Sequence, residues 1–201
     1  MQYYSWSISD DYPERLTLKF EGPGFLGKSS FTSERRLNLA CPIEFSTRYK
    51  RGREHILLYD QVVTTVGLAV SPTFAELIIE ELSDNEVELL DTLIVTDSGR
   101  IRSYRLVNIL NKVDVLDERH TQFVHINGVK TASPHHCVYD LNKLRGFDIG
   151  RVNGCNTILL SENFVLAIKH AKLTGFSAHP LDPSQISSDR LLRQQSYATL
   201  R

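Results

Sequence analysis

Cysteine is scarce in this chain and cannot build a framework. Cys41, Cys137 and Cys155 are odd in number and far apart, which argues against a disulfide scaffold and for reduced thiols in a cytoplasm. No CxxC or HxxxH pairing accompanies them. The one cluster of metal-ligand types, "HHC" at 135–137, reads as a polar loop after Pro134, so no metal and no cofactor is expected. Long apolar runs are missing as well: "HILLY" and "VVTTVGLAV" fall far short of the roughly 20 residues that span a bilayer. The opening "MQYYSWSISDDY" has neither the basic nor the apolar region of a secretory signal. These absences point to a cytoplasmic protein with no membrane partner. A net charge of −1 gives no overall pull toward nucleic acid, and no nucleic-acid partner is expected.

Bases are also absent from one long segment. Residues 54–99 carry ten Asp/Glu and no Lys or Arg, whereas residues 28–53 carry seven Lys/Arg against Glu34 and Glu44. Such segregation marks either a solvated surface or a partner-binding face.

The first half reads as β-rich. "RLTLKFE" alternates Leu16, Leu18 and Phe20 with polar neighbours, as a half-buried strand does; "HILLYDQVV" and "VGLAV" are apolar enough for buried strands. One pattern then occurs twice. "LAVSPTFAELIIEEL" and "ILLSENFVLAIKHAK" share an apolar strand, a Ser, two residues, a Phe and a helical face. Ser71 and Ser161 sit where an N-cap belongs, a position that Asp also fills. Pro72 takes the first helical position, and Glu162 suits the positive end of the helix dipole. Val70 with Ala75, and Leu160 with Val165, are placed as hydrophobic staples. Gly175 is positioned to close the second helix. Between the units, "VELLDTLIVT" and "RIRSYRLVNIL" flank "DSG" as a β-hairpin. Short strands are expected in "QFVHI" and "HCVYDL", with Asn127-Gly128 as a turn. The predicted fold is α+β, mostly antiparallel sheet with a few packed helices, including the two strand-Ser-x-x-Phe-helix units. It is a single domain over residues 1–182, divisible at 83/84, followed by a tail over 183–201 that reads as a disordered end.

Four enzyme candidates have structural alternatives. A nucleophile elbow needs glycines flanking its serine, and Ser71 and Ser161 lack them. "GPGFLGKS", residues 22–29, spells a phosphate loop. Such a loop needs a buried parallel strand before it and a helix after it. "RLTLKFE" alternates instead, and Phe31, Leu37 and Leu39 make no helical face. Asp114 and Asp117 with His120 could form an acid–base pair, but Asp at such positions more often starts a turn or caps a short helix. "RYKRGRE", residues 48–54, could touch phosphates yet reads as a solvated turn.

In "YRLVNILNKVDVLDERHTQF", residues Tyr104, Asn108, Val113, Asp114, Leu116 and Asp117 resemble a signature of a family of bacterial immunity proteins. These are encoded beside polymorphic toxins and were formerly catalogued as a domain of unknown function. "TILLSENFVLAIKHAKLTGFSAHPL" looks like that family's closing segment, and "LAVSPTFAELI" is similar to its earlier helix. The resemblance covers residues 66–181 in patches, with a departure at "LRGFDIGRVNG", where a shorter Leu-Phe-Arg approach is the family's pattern. It implies a cytoplasmic, non-enzymatic binder that neutralises a cognate toxin by occlusion, and it carries over no catalytic residue.

A toxin acting on nucleic acid or nucleotides presents a basic cleft, which carboxylates can block. Glu76, Glu80, Glu81, Asp84, Glu86, Glu88 and Asp91 form a run without an intervening base. With Phe74, Leu77, Ile78 and Leu82 turned to the core, this run is expected to face outward as a partner-binding edge. The competing readings are a small nucleotide-binding enzyme using Lys28 and Ser29 of the glycine segment, and an adaptor module without a toxin partner. If the glycine segment is only a turn, Lys28→Ala will leave fold and protection unchanged, and calorimetry with ATP or GTP plus magnesium will show no binding; micromolar binding lost in the variant would establish the enzyme reading.

Overall fold

A computed structural model describes residues 2–13, 15–22, 30–31, 35–126, 129–132, 137–155, 157–182, 184 and 186–187. In chain order the elements are β1 (Tyr3–Ile8), β2 (Thr17–Phe20), β3 (Ile43–Ser46), α1 (Gly52–Ile56), β4 (Gln61–Thr64), β5 (Leu68–Val70) and α2 (Pro72–Glu81). Next come β6 (Val87–Thr96), β7 (Gly99–Ile101), β8 (Arg105–Ile109), β9 (Lys112–Val113), β10 (Phe123–Ile126), β11 (Val129–Ala132) and β12 (Tyr139–Asp140). The chain continues with β13 (Ile149–Val152), β14 (Ile158–Ser161), α3 (Glu162–His170), β15 (Phe176–Pro180) and β16 (Ile186–Ser187). The fold is α+β with mostly antiparallel pairing.

The two sheets repeat one plan. In the first, β2 runs parallel to β4, β4 and β5 form a hairpin, and β5, β8 and β6 follow antiparallel. In the second, β9 runs parallel to β13, β13 and β14 form a hairpin, and β14, β1 and β15 follow antiparallel. The strand that β8 supplies to the first sheet is supplied to the second by β1, from the other end of the chain. The first sheet also closes: β3 pairs antiparallel with β2 and parallel with the far half of β6, making a small barrel. Leu18, Phe45, Val62, Ala69, Ile94 and Leu106 fill it, all fully buried. The sheets do not divide at 83/84, because β6 and β8 join the first and β1 the second.

Each hairpin is tied to its helix in the same way. Ser71 Oγ accepts the Phe74 amide at 3.3 Å and donates to Asp60 Oδ1 at 2.6 Å. Ser161 Oγ accepts the Phe164 amide at 3.2 Å and donates to Asp148 Oδ1 at 2.5 Å. The serine amides also reach the Asp60 and Asp148 carbonyls, at 2.7 and 2.8 Å. One carboxylate per unit thus fixes the first residue of a hairpin to the first turn of a helix. α2 and α3 lay Phe74, Ile78, Phe164, Val165 and Ile168 into a shared core between the sheets. The proposed staple residues Val70, Ala75, Leu160 and Val165 all lie in that core.

The segment after each helix then caps the other unit. The Thr174 carbonyl, beyond α3, accepts the Asp60 and Gln61 amides, both at 3.1 Å. Glu86 Oε1, beyond α2, accepts the Asp148 and Ile149 amides at 2.9 and 3.3 Å. Trp6 Nε1 donates to Gln61 Oε1 at 2.5 Å, joining β1 to the barrel through a fully buried amide.

Several expectations need correction. "HILLY" is no strand: His55 and Ile56 end α1, and Leu57 and Leu58 are exposed. α3 ends at His170, five residues before Gly175. Gly175 has φ of 78°, and a Cβ there would lie 2.5 Å from the Gln61 carbonyl, so its glycine serves the turn into β15. The Asp97-Ser98 hairpin forms between β6 and β7, but β6 also pairs with β8 and β3. β10 and β11 pair as a hairpin whose Asn127-Gly128 turn lies outside the described residues. The glycine segment at 23–29 lies outside them too.

Ser71→Ala and Ser161→Ala are each expected to lose roughly 1–2 kcal/mol in urea unfolding, the upper part of the N-cap range, because a hydroxyl–carboxylate bond goes as well. Aspartate, tolerated on sequence grounds, is expected to be worse than alanine here, since it sets a second carboxylate against Asp60 or Asp148. Asp60→Asn should recover part of the loss in Ser71→Asp.

Candidate partner-binding surfaces

The acidic run splits into two groups. Glu76, Glu80, Glu81 and Asp84 are exposed on α2 and the turn after it, and Asp91 is exposed on β6, 3.5 Å from Arg105. Glu86 and Glu88 turn inward, against the expectation of an outward run. Glu88 is buried; its carboxylate accepts the Leu37 and Asn38 amides at 2.9 and 3.1 Å and the Asn108 side-chain amide at 2.8 Å. The reason is tertiary: the segment before β3 brings two backbone amides to β6, and a carboxylate satisfies both. Glu86 serves the β13 amides described above. Neither is available to a partner.

The exposed group surrounds an apolar residue. Ile79 is 62% exposed on α2, one helical turn from Glu76 and next to Glu80. Beneath it, a cleft of about 310 Å³ is lined by Ile78, Leu82, Asp84 and Leu89, with Arg36 and Arg105 at its border. The Arg36 guanidinium donates to the Asp84 carbonyl.

The charges on α2 work against the helix. It has no acid in its first turn and no base in its last, and it ends on Glu80 and Glu81, beside the negative end of the dipole. Glu76 and Glu80 are also a like-charged i,i+4 pair, unfavourable by about 0.2–0.5 kcal/mol. α3, at the equivalent position of the other unit, is built the favourable way: Glu162 in the first turn, Lys169 and His170 in the last.

A second charged surface lies across the barrel. Arg15 from the start of β2, Arg48, Tyr49, Lys50 and Arg51 from the turn after β3, and His55 of α1 line a cleft of about 760 Å³. The 48–54 segment is therefore a turn running into a short helix, with Arg51 in the left-handed region at φ 55° and its amide donating to Asp97 Oδ2 at 3.0 Å. The sequence had no means of bringing Arg15 to it. Tyr49 and His55 meet edge to face at 5.0 Å.

The structure brings Asp117 and His120 together and leaves Asp114 apart. Asp117 is buried; Oδ1 accepts the Arg119 amide at 2.9 Å, Oδ2 lies 2.8 Å from His120 Nδ1, and its carbonyl accepts the Thr121 amide. Asp114 is exposed elsewhere on the chain. Of the signature residues, Tyr104 is buried with its hydroxyl 2.8 Å from the Ile56 carbonyl, and burial raises its pKa. Asn108 is the partner of Glu88, and Val113 and Leu116 are core. Cys137 is buried, and burial with the neighbouring Cys155 thiol pushes its pKa up to about 11. His135 and His136 lie outside the described residues; among the described residues no cluster of His, Cys, Asp and Glu could hold a metal. Among them, too, no helix is long and apolar enough to cross a membrane.

Glu88→Ala is expected to lose about 1–3 kcal/mol, the usual effect of leaving buried amides unpaired. Glu80→Ala should stay within about 0.5 kcal/mol of wild type, as surface changes do. Urea unfolding at pH 7 measures both; equal effects would place both carboxylates in the same environment. No protein-family model matches this chain, and no curated protein matches it.

Proposed function

We propose that this protein is an immunity-type binder that neutralises a cognate toxin domain by occlusion, holding it on the α2 edge. The observation that carries the reading is the contrast between the two equivalent helices. α3 has the charge distribution that stabilises a helix, whereas α2 has the reverse, arranged around an exposed isoleucine. A charge pattern that lowers local stability is the kind of feature that function trades against stability. An apolar centre with a charged rim is the ordinary anatomy of a protein interface. The carboxylates would steer a basic partner face into place, and Ile79 would be buried on contact. The resemblance to immunity proteins supplies the class of partner. The role needs no catalytic group, cofactor or metal.

The test uses Glu76, Glu80, Glu81 and Asp84 changed together to Lys, leaving Glu86 and Glu88 in place. The partner is the toxin domain encoded beside this protein. The variant should unfold at close to the wild-type urea concentration. Its association with the toxin should be at least tenfold slower at low salt and lose most of its salt dependence. Ile79→Ala should instead raise the dissociation rate. Wild-type association across ionic strengths would move the interface off this edge, with the Arg48–His55 cleft the next surface to vary.

A further inference from the structure

Between the two sheets, on the side away from the α2 edge's acids, lies a cleft of about 280 Å³. Equivalent positions of the two units meet there: Trp6 of β1 corresponds to Val107 of β8, and Ile158 of β14 to Leu68 of β5. Ile109 and Val66 complete the apolar part of the walls, and Thr64 and Thr65 add a polar part. At one position of the hairpins the two units differ in charge. Two residues into the hairpin the barrel has Val63, paired with Leu68, while the other sheet has Arg151, paired with Ile158.

Arg151 is partly buried, and its Nε is out of water with no hydrogen-bond partner. Among the described residues no carboxylate pairs with its guanidinium. Burial alone lowers its pKa, with no compensating charge beside it. A buried Nε left without a partner is unfavourable for a fold. A valine, as at the equivalent position, would pack there without that penalty. A guanidinium facing an apolar cleft presents a rigid fork of donors that matches one carboxylate.

We propose that this cleft binds a small monocarboxylate with an apolar body, its carboxylate on Arg151 and its body against Trp6, Val107 and Ile158. Among the described residues Arg151 is the one charged residue of the lining and balances one negative charge, which selects a carboxylate over a phosphate dianion. The volume sits at the small end of ligand pockets, about 300–1,000 Å³, and is too small for a nucleotide. The site is separate from the α2 edge and does not depend on the toxin reading.

Trp6 is the single tryptophan of the chain, so intrinsic fluorescence reports directly on this cleft. Phenylacetate and hexanoate, titrated in carboxylate-free buffer, should each give a saturable change in Trp6 emission and raise the melting temperature. Phenylacetamide and hexanamide, of the same shape without the charge, should do neither. Arg151→Met should bind the acids at least tenfold more weakly and melt at or above the wild-type temperature. No saturable change with either acid, equal binding of acid and amide, or undiminished binding by Arg151→Met would each overturn the proposal. The acid–amide comparison on wild type stands even if Arg151→Met does not fold.

Discussion

The architecture depends on one polar arrangement used twice: a carboxylate at the start of a hairpin that receives the hydroxyl of a helix N-cap. Helix-start amides and strand-start carbonyls are both poor in partners at such a junction. The Asp–Ser pair satisfies several of these groups in a small volume. It also fixes the angle between each helix and its hairpin, which sets where Phe74 and Phe164 enter the core. With both angles fixed, α2 and α3 meet and the two sheets are held at a single separation.

The reciprocal bonds beyond the helices extend this constraint across the molecule. Glu86 in one half and Thr174 in the other each cap the first residues of the opposite hairpin. Neither half has its full set of backbone partners alone, so the halves behave as one packed unit although their sheets are separate. Unlike groups do the same task, a side-chain carboxylate in one case and a backbone carbonyl in the other. What is preserved between the halves is the amide pair to be satisfied.

Local physics was legible in the sequence. The capping serines, the alternating β2, the apolar stripe of α2 and the strand β10 are all set by residues within a turn or two of each other, whereas β11, the partner of β10, was not read as a strand. What was missed involves distant segments. Apolar content placed a strand at "HILLY", but Leu57 and Leu58 stay in water because α1 turns them out of the barrel. Glu86 and Glu88 look like any other acids in an acidic run until amides from residues 37–38 and 148–149 arrive beside them. The two strand–Ser–helix units were visible as a repeat, yet Asp60 and Asp148 were not seen as part of it, their link to the serines being tertiary. The full extent of the repeat was hidden by the place of β1 in the chain. Of the candidate surface, four acids could be read from spacing; the exposure of Ile79 and the meeting of Arg15 with Arg48 and Arg51 could not.

The position of β1 bears on how the protein is made. The barrel takes its strands from residues 17–101 and 105–109, so a ribosome delivers all of them while much of the chain is still unsynthesised. The second sheet waits. β1 leaves the ribosome before the barrel strands, yet its neighbours are β14 and β15, and its register sets Tyr3 opposite Ser161. Pairing across such a separation is slow, since the loop must close before the contacts are gained. Until then β1 carries Trp6 and two unpaired edges into the cell, a surface open to chaperones and to mispairing. Synthesis therefore divides the molecule differently from its sheets: an early, self-closing barrel, and a late sheet whose first strand has waited longest.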